Sequence, residues 1–175
     1  LMGGDIAYES RLGEGTTCTI TLPLAIDLEA SSMQHDHRAH SRATLEGLNV
    51  LLAEDNDLNR EIAEFVLTEA GAKVACADDG LEALNVFEQA GAGAFDLILM
   101  DIMMPRMDGY EATRAIRSLP REDAQAIPIV AMSANAFTED KVRCREAGMD
   151  GHLAKPIDSG KLIDALARIL AAKKK

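Results

Sequence analysis

The chain has 175 residues, of which 47% are apolar and 27% charged, and its formal net charge is −11 at pH 7. This length accommodates one domain of ordinary size plus a smaller segment, and no apolar run approaches the roughly 20 residues that cross a bilayer. The acidic balance disfavours non-specific binding to nucleic acid and contact with an anionic membrane surface. We therefore expect neither nucleic acid nor a membrane among the partners of this chain.

The start of the chain and its cysteines indicate its cellular setting. The sequence begins Leu1-Met2-Gly3-Gly4, with no basic segment leading into an apolar one and no initiator Met, which predicts a fragment of a longer protein without a secretory signal. Cys18, Cys76 and Cys144 are odd in number and widely spaced. Such cysteines are typical of reduced thiols, so we expect a cytoplasmic location.

Residues 3–22 alternate apolar and polar side chains around a glycine-rich segment, 13–17. This pattern predicts two antiparallel strands joined by a turn. A hairpin alone is only marginally stable in water, so we expect it to need the rest of a domain that this sequence does not contain. The alternating positions are Ile6, Tyr8, Cys18, Ile20 and Leu22.

Residues 24–47 show no hydrophobic period and are interpreted as a flexible linker. Three histidines lie here, His35, His37 and His40. They have no partner cysteines in a metal-ligand spacing, so a solvated linker is favoured over a metal site.

From residue 48 onward, short runs rich in Val, Ile and Leu alternate with stretches of helical period. This alternation indicates five βα units and a doubly wound α/β fold around a five-stranded parallel sheet. The runs at 48–53, 96–100 and 127–132 are apolar almost throughout, which places them at the sheet centre. The predicted strands are 48–53, 73–77, 96–100, 127–132 and 152–154, and the predicted helices are 57–70, 79–90, 107–118, 137–147 and 159–171.

The first and last predicted helices carry apolar stripes that we expect to face the sheet. Gly71 and Gly148 follow the first and fourth helices and are expected to end them in the left-handed conformation. Asp79 with Glu82 resembles a capping box at the start of the second helix. The stripes are Leu58, Ile62, Phe65 and Val66 on the first helix, and Leu162, Ile163, Leu166, Ile169 and Leu170 on the last.

Polar side chains useful in phosphoryl chemistry stand at the ends of four predicted strands. Ligands of open parallel sheets bind outside these ends, at the switch point in strand order. Three clustered carboxylates repel one another unless a nearby cation neutralises their charge, and Mg²⁺ binds sites made only of oxygen ligands. We therefore predict a Mg²⁺ site that is completed by a phosphoryl group, with a lysine as compact cation and a serine hydroxyl that detects the phosphoryl oxygens. The residues are Glu54, Asp55 and Asp101 for the metal, Lys155 for the cation and Ser133 for the hydroxyl.

Four segments together resemble the receiver domain of two-component signalling proteins over residues 48–172. They are Ala53-Glu54-Asp55-Asn56, Leu99-Met100-Asp101-Ile102-Met103-Met104-Pro105-Arg106-Met107-Asp108-Gly109, Ser133-Ala134 and Lys155-Pro156-Ile157.

The resemblance implies a flavodoxin-like fold in which Asp101 accepts a phosphoryl group from the phosphohistidine of a histidine kinase. It also implies that the Met103 backbone carbonyl binds Mg²⁺ and that the Lys155-Pro156 peptide bond is cis. His152 stands where the family usually has Tyr or Phe, so Ser133 and His152 are the expected switch residues.

The N-terminal segment is similar to the last glycine box and closing strands of a histidine-kinase ATP-binding domain. This implies a remnant of that domain at 1–23, a linker at 24–47, a receiver at 48–172 and a basic tail at 173–175, as at the end of a hybrid histidine kinase. Because the other nucleotide-binding boxes are absent from this sequence, we expect a phosphoacceptor that does not itself bind ATP. Its expected second partner is a histidine phosphotransfer protein, docking near the first and last helices.

Three alternatives remain at this point. A phosphatase of the haloacid dehalogenase type also uses a strand-end Asp, but it needs a second Asp two residues later, where this chain has Met103. A degenerate receiver would signal without phosphorylation, which the complete residue set disfavours. A DNA-binding response regulator is disfavoured because only Lys173-Lys174-Lys175 follows the last helix.

Overall fold

The structure is a computed structural model that describes residues 3–11, 13, 15–21, 23, 45–134 and 138–173. The chain divides into two compact units, one ending at residue 39 and the other beginning at residue 40. Most of the predicted linker, 24–44, lies outside the described residues, as do Leu22 and the last two residues of the predicted basic tail. None of the helices in the described ranges combines the length and apolarity required to span a membrane.

The first unit contains the predicted hairpin. Strands β1 (Asp5–Arg11) and β2 (Gly15–Thr21) pair antiparallel, with Ile6 opposite Ile20 and Tyr8 opposite Cys18. Every residue of both strands is exposed, and Tyr8 is 70% exposed. The two strands therefore form a regular ladder whose apolar side chains are not buried.

The second unit is built on a parallel sheet, and this confirms the predicted doubly wound, flavodoxin-like fold. Its strands lie in the order β4-β3-β5-β6-β7. The chain crosses from β3 to one edge and then returns to β5 on the other side of β3, so the switch point lies between β3 and β5. The strands are β3 (Asn49–Ala53), β4 (Lys73–Ala77), β5 (Leu97–Asp101), β6 (Ile129–Ser133) and β7 (Gly151–Ala154).

Helices cover both faces of this sheet, which is why β5 and β6 are buried along their whole length. One core contains Leu67 with Leu162 and Leu166 from the first and last helices. The core on the opposite face contains Phe87 and Ile116. Six helices lie in the described part of the unit: α1 (Asp57–Glu69), α2 (Gly80–Gln89), α3 (Gly109–Arg117), α4 (Glu122–Ala126), α5 (Thr138–Ala147) and α6 (Ser159–Lys173).

The short helix α4 was not predicted, because five residues cannot display a helical period. Strands β5 and β6 each extend one residue beyond their predicted ends, so Asp101 and Ser133 are themselves the last strand residues. At the other boundary, Leu45 is 1% exposed and its N–H donates to the Ala70 carbonyl over 2.9 Å. Packing of the second unit thus begins before the predicted start at residue 48.

The predicted apolar stripe of α1 is wrong for three of its four members. Leu58, Ile62 and Phe65 are 65%, 44% and 66% exposed, whereas Ala63 and Leu67 are fully buried. Two apolar stripes lie side by side on this helix, and the one with the small Ala63 is the one that lies against the sheet. The stripe on α6 is confirmed, since all five of its residues are buried or pack against the core.

The helix ends follow local chemistry. Gly71 and Gly148 have φ of 92° and 95°, as predicted. Asp79 caps α2 through the Glu82 N–H, but the Glu82 carboxylate accepts from Asp78 instead, so the predicted capping box is incomplete. Residues Asp108 and Glu111 form a complete capping box, which starts α3 two residues later than predicted.

Candidate functional site

Three carboxylates meet at the carboxyl ends of β3 and β5. Glu54 and Asp55 follow β3, Asp101 ends β5, and these strands are neighbours at the switch point. One ligand oxygen from each of the three lies within 4.8 Å of the others. Glu54 is fully buried and Asp101 is 5% exposed, whereas Asp55 is exposed to solvent. The predicted metal residues are therefore brought together by the order of the strands.

Lys155 joins this cluster from the loop after β7. Its Nζ lies 2.6 Å from Oε2 of Glu54 and 2.7 Å from Oδ2 of Asp101. Burial by itself lowers the pKa of the Lys155 ammonium, but its hydrogen bonds to Asp101 and Glu54 and their charges outweigh burial and raise the pKa above its ordinary value. The lysine is therefore charged at neutral pH. One ammonium among three carboxylates leaves an excess of negative charge.

The orientation of Glu54 is fixed by residues that sequence reasoning missed. Asn59 Nδ2 donates to Oε1 of Glu54 over 3.0 Å, and the Arg60 guanidinium donates to the Glu54 backbone carbonyl over 2.9 Å. Both lie in the first turn of α1, whose N-cap is Asn56. The sequence carries no signal for these contacts, because they depend on the directions of the Asn59 and Arg60 side chains.

The loop after β5 wraps closely around Asp101. The Met103 N–H donates to Oδ1 of Asp101 at 3.4 Å, and a Cβ at Gly109 would overlap the Asp101 carbonyl oxygen. Only glycine therefore permits the loop to return this close to the end of β5. The Met103 side chain is 78% exposed and carries no proton-transfer group, so the acid that a phosphatase of the haloacid dehalogenase type requires at this place is missing.

Ser133 and His152 are in direct contact across β6 and β7. The Ser133 Oγ lies 2.7 Å from Nε2 of His152, and either atom can be the donor, depending on the histidine tautomer. The Lys155 N–H donates to the Ser133 carbonyl over 2.7 Å, and the Lys155-Pro156 bond is cis, as expected. Because Asp101 pairs with Met132, the serine lies one residue beyond Asp101 on the adjacent strand.

The donor set fits a hard divalent cation. All of its side-chain ligands are carboxylate oxygens, one of them is solvent-accessible, and their charge exceeds that of Lys155. Mg²⁺ favours such oxygen sites and retains several waters, for which the exposed side of Asp55 leaves room.

Comparison with known proteins identifies the family to which this chain belongs. The sequence matches the family described as response regulator receiver domain over residues 50–167. The chain belongs to this family. Among solved structures, this receiver is similar to the receiver domain of the sensor histidine kinase PA1611 from Pseudomonas aeruginosa, which has a magnesium ion coordinated in its active site cleft. The two share 38% identity with a TM-score of 0.64, covering 71% of this chain and 98% of that one.

The chain also matches part of several much longer proteins that are named as histidine kinases. It is 34% identical to probable histidine kinase 6 of Oryza sativa and 35% identical to the sensor histidine kinase RcsC of Salmonella typhi. The matches cover 76% and 85% of this chain, but only 15% and 14% of those proteins. This receiver is thus homologous to the receivers of hybrid histidine kinases, as the sequence predicted.

Proposed function

We propose that Asp101 is the phosphoacceptor of this receiver and that its phosphoryl donor is a phosphohistidine of a histidine kinase. A carboxylate oxygen of Asp101 attacks phosphorus, the P–O bond forms as the P–N bond breaks, and the released imidazole takes up a proton. The observation that carries this proposal is the bridge from Lys155 to both Glu54 and Asp101. It supplies a fixed cation beside the attacking carboxylate.

Lys155 and a metal ion held by the acidic residues would both neutralise negative charge during phosphoryl transfer. Phosphoryl transfer depends mostly on positioning and on neutralising the oxygens of the transferred group, and the Lys155 ammonium is held where those oxygens arrive. Glu54, Asp55, Asp101 and the Met103 backbone carbonyl are the residues that would hold Mg²⁺. When bound, the ion supplies further charge neutralisation.

Ser133 and His152 are proposed as the switch. In this structure the Ser133 hydroxyl is hydrogen-bonded to His152. A phosphoryl group on Asp101 adds roughly two negative charges beside β6, and the hydroxyl or the imidazole can then donate to its oxygens. The contact between the two side chains would then break or rearrange, and the loops after β5 and β6 would shift with it.

A histidine phosphotransfer protein is the proposed next acceptor. Leu58, Ile62 and Phe65 form an exposed apolar stripe on α1, the helix that follows Glu54 and Asp55, and such patches mark protein interaction surfaces. Relatives named as histidine kinases support a parent protein of that class. Residues 1–23 are proposed as the end of its ATP-binding domain, because they resemble the closing strands of such domains, and 24–47 as a linker. The proposed location of this receiver is the cytoplasm.

Incubation with Mg²⁺ and acetyl phosphate tests the proposal. We expect intact mass spectrometry to detect one added phosphoryl group that is stable to acid, labile to base and absent from Asp101→Asn. A wild-type protein that binds Mg²⁺ but gains no mass would contradict it, unless released phosphate shows that the adduct forms and hydrolyses too fast to trap.

A further inference from the structure

The loop 102–108 between β5 and α3 borders the acidic site and determines where the Met103 backbone lies. The Ile102 N–H donates to the Met132 carbonyl over 3.1 Å, and the Gly109 N–H returns to the Ile102 carbonyl over 3.0 Å. These bonds fix both ends of the loop. Between them, the Met103 N–H reaches Asp101 Oδ1 at the long distance of 3.4 Å, so small changes in the loop would alter this contact.

Arg106 holds an unfavourable backbone conformation in the middle of this loop. Its φ is 62°, and it is the only non-glycine residue in the described ranges with positive φ. Residues with a Cβ disfavour this left-handed region, so a compensating contact is expected. The Arg106 Nε donates to Oδ2 of Asp79, 27 residues earlier in the chain.

Asp79 is a rigid anchor for that contact. Its side chain is 1% exposed, and its other oxygen accepts the Glu82 N–H over 2.9 Å as the N-cap of α2. A buried carboxylate needs a paired cation, and among the described residues only Arg106 forms an ion pair with it. The start of α2 also abuts the loop backbone, since a Cβ at Gly80 would lie 2.5 Å from the Met107 carbonyl oxygen.

We propose that Arg106 is a positioning residue for phosphoryl acceptance. Its ion pair with Asp79 ties the loop to the start of α2 and keeps the Met103 backbone at the edge of the acidic site. Neither Arg106 nor Asp79 touches the reacting atoms, so both act through Met103. This inference rests on the proposed role of Asp101 and adds a residue that the acidic cluster alone does not reveal.

The test compares four single variants and one double variant with wild type, at a temperature at which circular dichroism shows every protein folded. Arg106→Ala removes the ion pair with Asp79. Arg106→Gly also removes it, and glycine adopts the positive φ of this position without strain. Arg106→Lys keeps a cation that can reach Asp79. Arg114→Ala is the matched control, because it removes an exposed arginine from α3 outside the loop. Mg²⁺ affinity is measured by calorimetry, and the phosphorylation rate is measured by intact mass with acetyl phosphate at saturating Mg²⁺.

We expect both Arg106→Ala and Arg106→Gly to slow phosphorylation about tenfold, since small displacements near a reacting group carry costs of this size, and to weaken Mg²⁺ binding. Arg106→Lys should retain most of the wild-type phosphorylation rate and Mg²⁺ affinity. Arg114→Ala should match wild type in both quantities. In the Arg106→Ala background, Asp79→Asn should add no further loss, because the pair acts as one unit.

Wild-type rates and Mg²⁺ affinity in Arg106→Gly would overturn the positioning role, and so would losses confined to thermal stability. If wild type itself gains no phosphoryl group and releases no phosphate while Mg²⁺ binding is retained, the proposed function fails instead. The two failures are therefore distinguishable.

Discussion

Asp55 differs from the other two carboxylates of the site in its surroundings. Glu54 and Asp101 are buried and paired with Lys155, whereas the Asp55 carboxylate is exposed and has no hydrogen bond or ion pair with another described residue. Without a metal, its charge adds net repulsion to the cluster, because the two other carboxylates outweigh the single Lys155 ammonium. With a divalent cation, it becomes a ligand.

We therefore predict that Asp55→Asn changes stability and metal affinity in opposite directions. In the absence of Mg²⁺ the free energy of unfolding should rise by about 1 kcal/mol, because one repulsive charge is removed. The Mg²⁺ affinity should fall at least tenfold. Urea unfolding with and without Mg²⁺ measures both effects, and a variant that is less stable without metal and unchanged in affinity would refute the assignment.

The raised pKa of Lys155 predicts a loss of stability at alkaline pH. A raised folded-state pKa means that the ion pairs stabilise the fold fully below the ordinary lysine value of 10.5 and lose this effect as pH rises through the still higher folded value. Urea midpoints measured from pH 8 upward should thus converge between wild type and Lys155→Met above that value. The control is Lys161→Met, which removes an exposed lysine that has no part in these ion pairs.

At the scale of single elements, α1 has the most informative arrangement. Its buried face carries Ala63 and Leu67, and its exposed face carries Leu58, Ile62 and Phe65. The three exposed apolar side chains contribute little to the stability of the fold. Because their helix follows the acidic site, we expect them to contribute to partner binding instead.

Phe65→Ala and Leu67→Ala separate these two roles. Leu67→Ala should lower the free energy of unfolding by about 3 kcal/mol through lost burial and the resulting cavity, whereas Phe65→Ala should change it by less than about 0.5 kcal/mol. Phosphoryl transfer from the labelled receiver to a cognate histidine phosphotransfer protein should show the reverse order. Equal transfer by Phe65→Ala and wild type would exclude this stripe from the docking surface.

Elements were predictable from sequence because their signals are local. Strands β3, β5 and β6 are continuous apolar runs, and Gly71 and Gly148 mark helix ends through their backbone freedom alone. The face that α1 buries was not predictable, because two adjacent stripes are both apolar and only packing against the sheet selects between them. Helix α4 is too short to leave a pattern.

At the scale of the whole molecule, strand order assembles the site. Glu54 and Lys155 are 101 positions apart in the chain, and they meet because β3, β5, β6 and β7 lie side by side with their carboxyl ends at one edge. The sequence predicted this convergence, since each polar residue follows an apolar strand. It could not predict the contact of Asn59 with Glu54 or that of Arg106 with Asp79, because these contacts depend on side-chain directions and, for Arg106, on one backbone angle in the loop after β5.

The molecule is a receiver that spans a small part of the histidine kinases it matches, 15% and 14% of two of them. Because most of the length of those proteins lies outside the match, phosphoryl acceptance by this chain is best tested with a small-molecule donor. The central claim is that one aspartate, Asp101, carries the phosphoryl group.

Trapping the acyl phosphate tests this claim most directly. After reaction with acetyl phosphate and Mg²⁺, borohydride reduces an aspartyl phosphate to homoserine, and peptide mass spectrometry locates the modified residue. We predict homoserine at position 101 alone, dependent on Mg²⁺. Homoserine at Asp55 or Asp108, with an unmodified Asp101, would contradict the account.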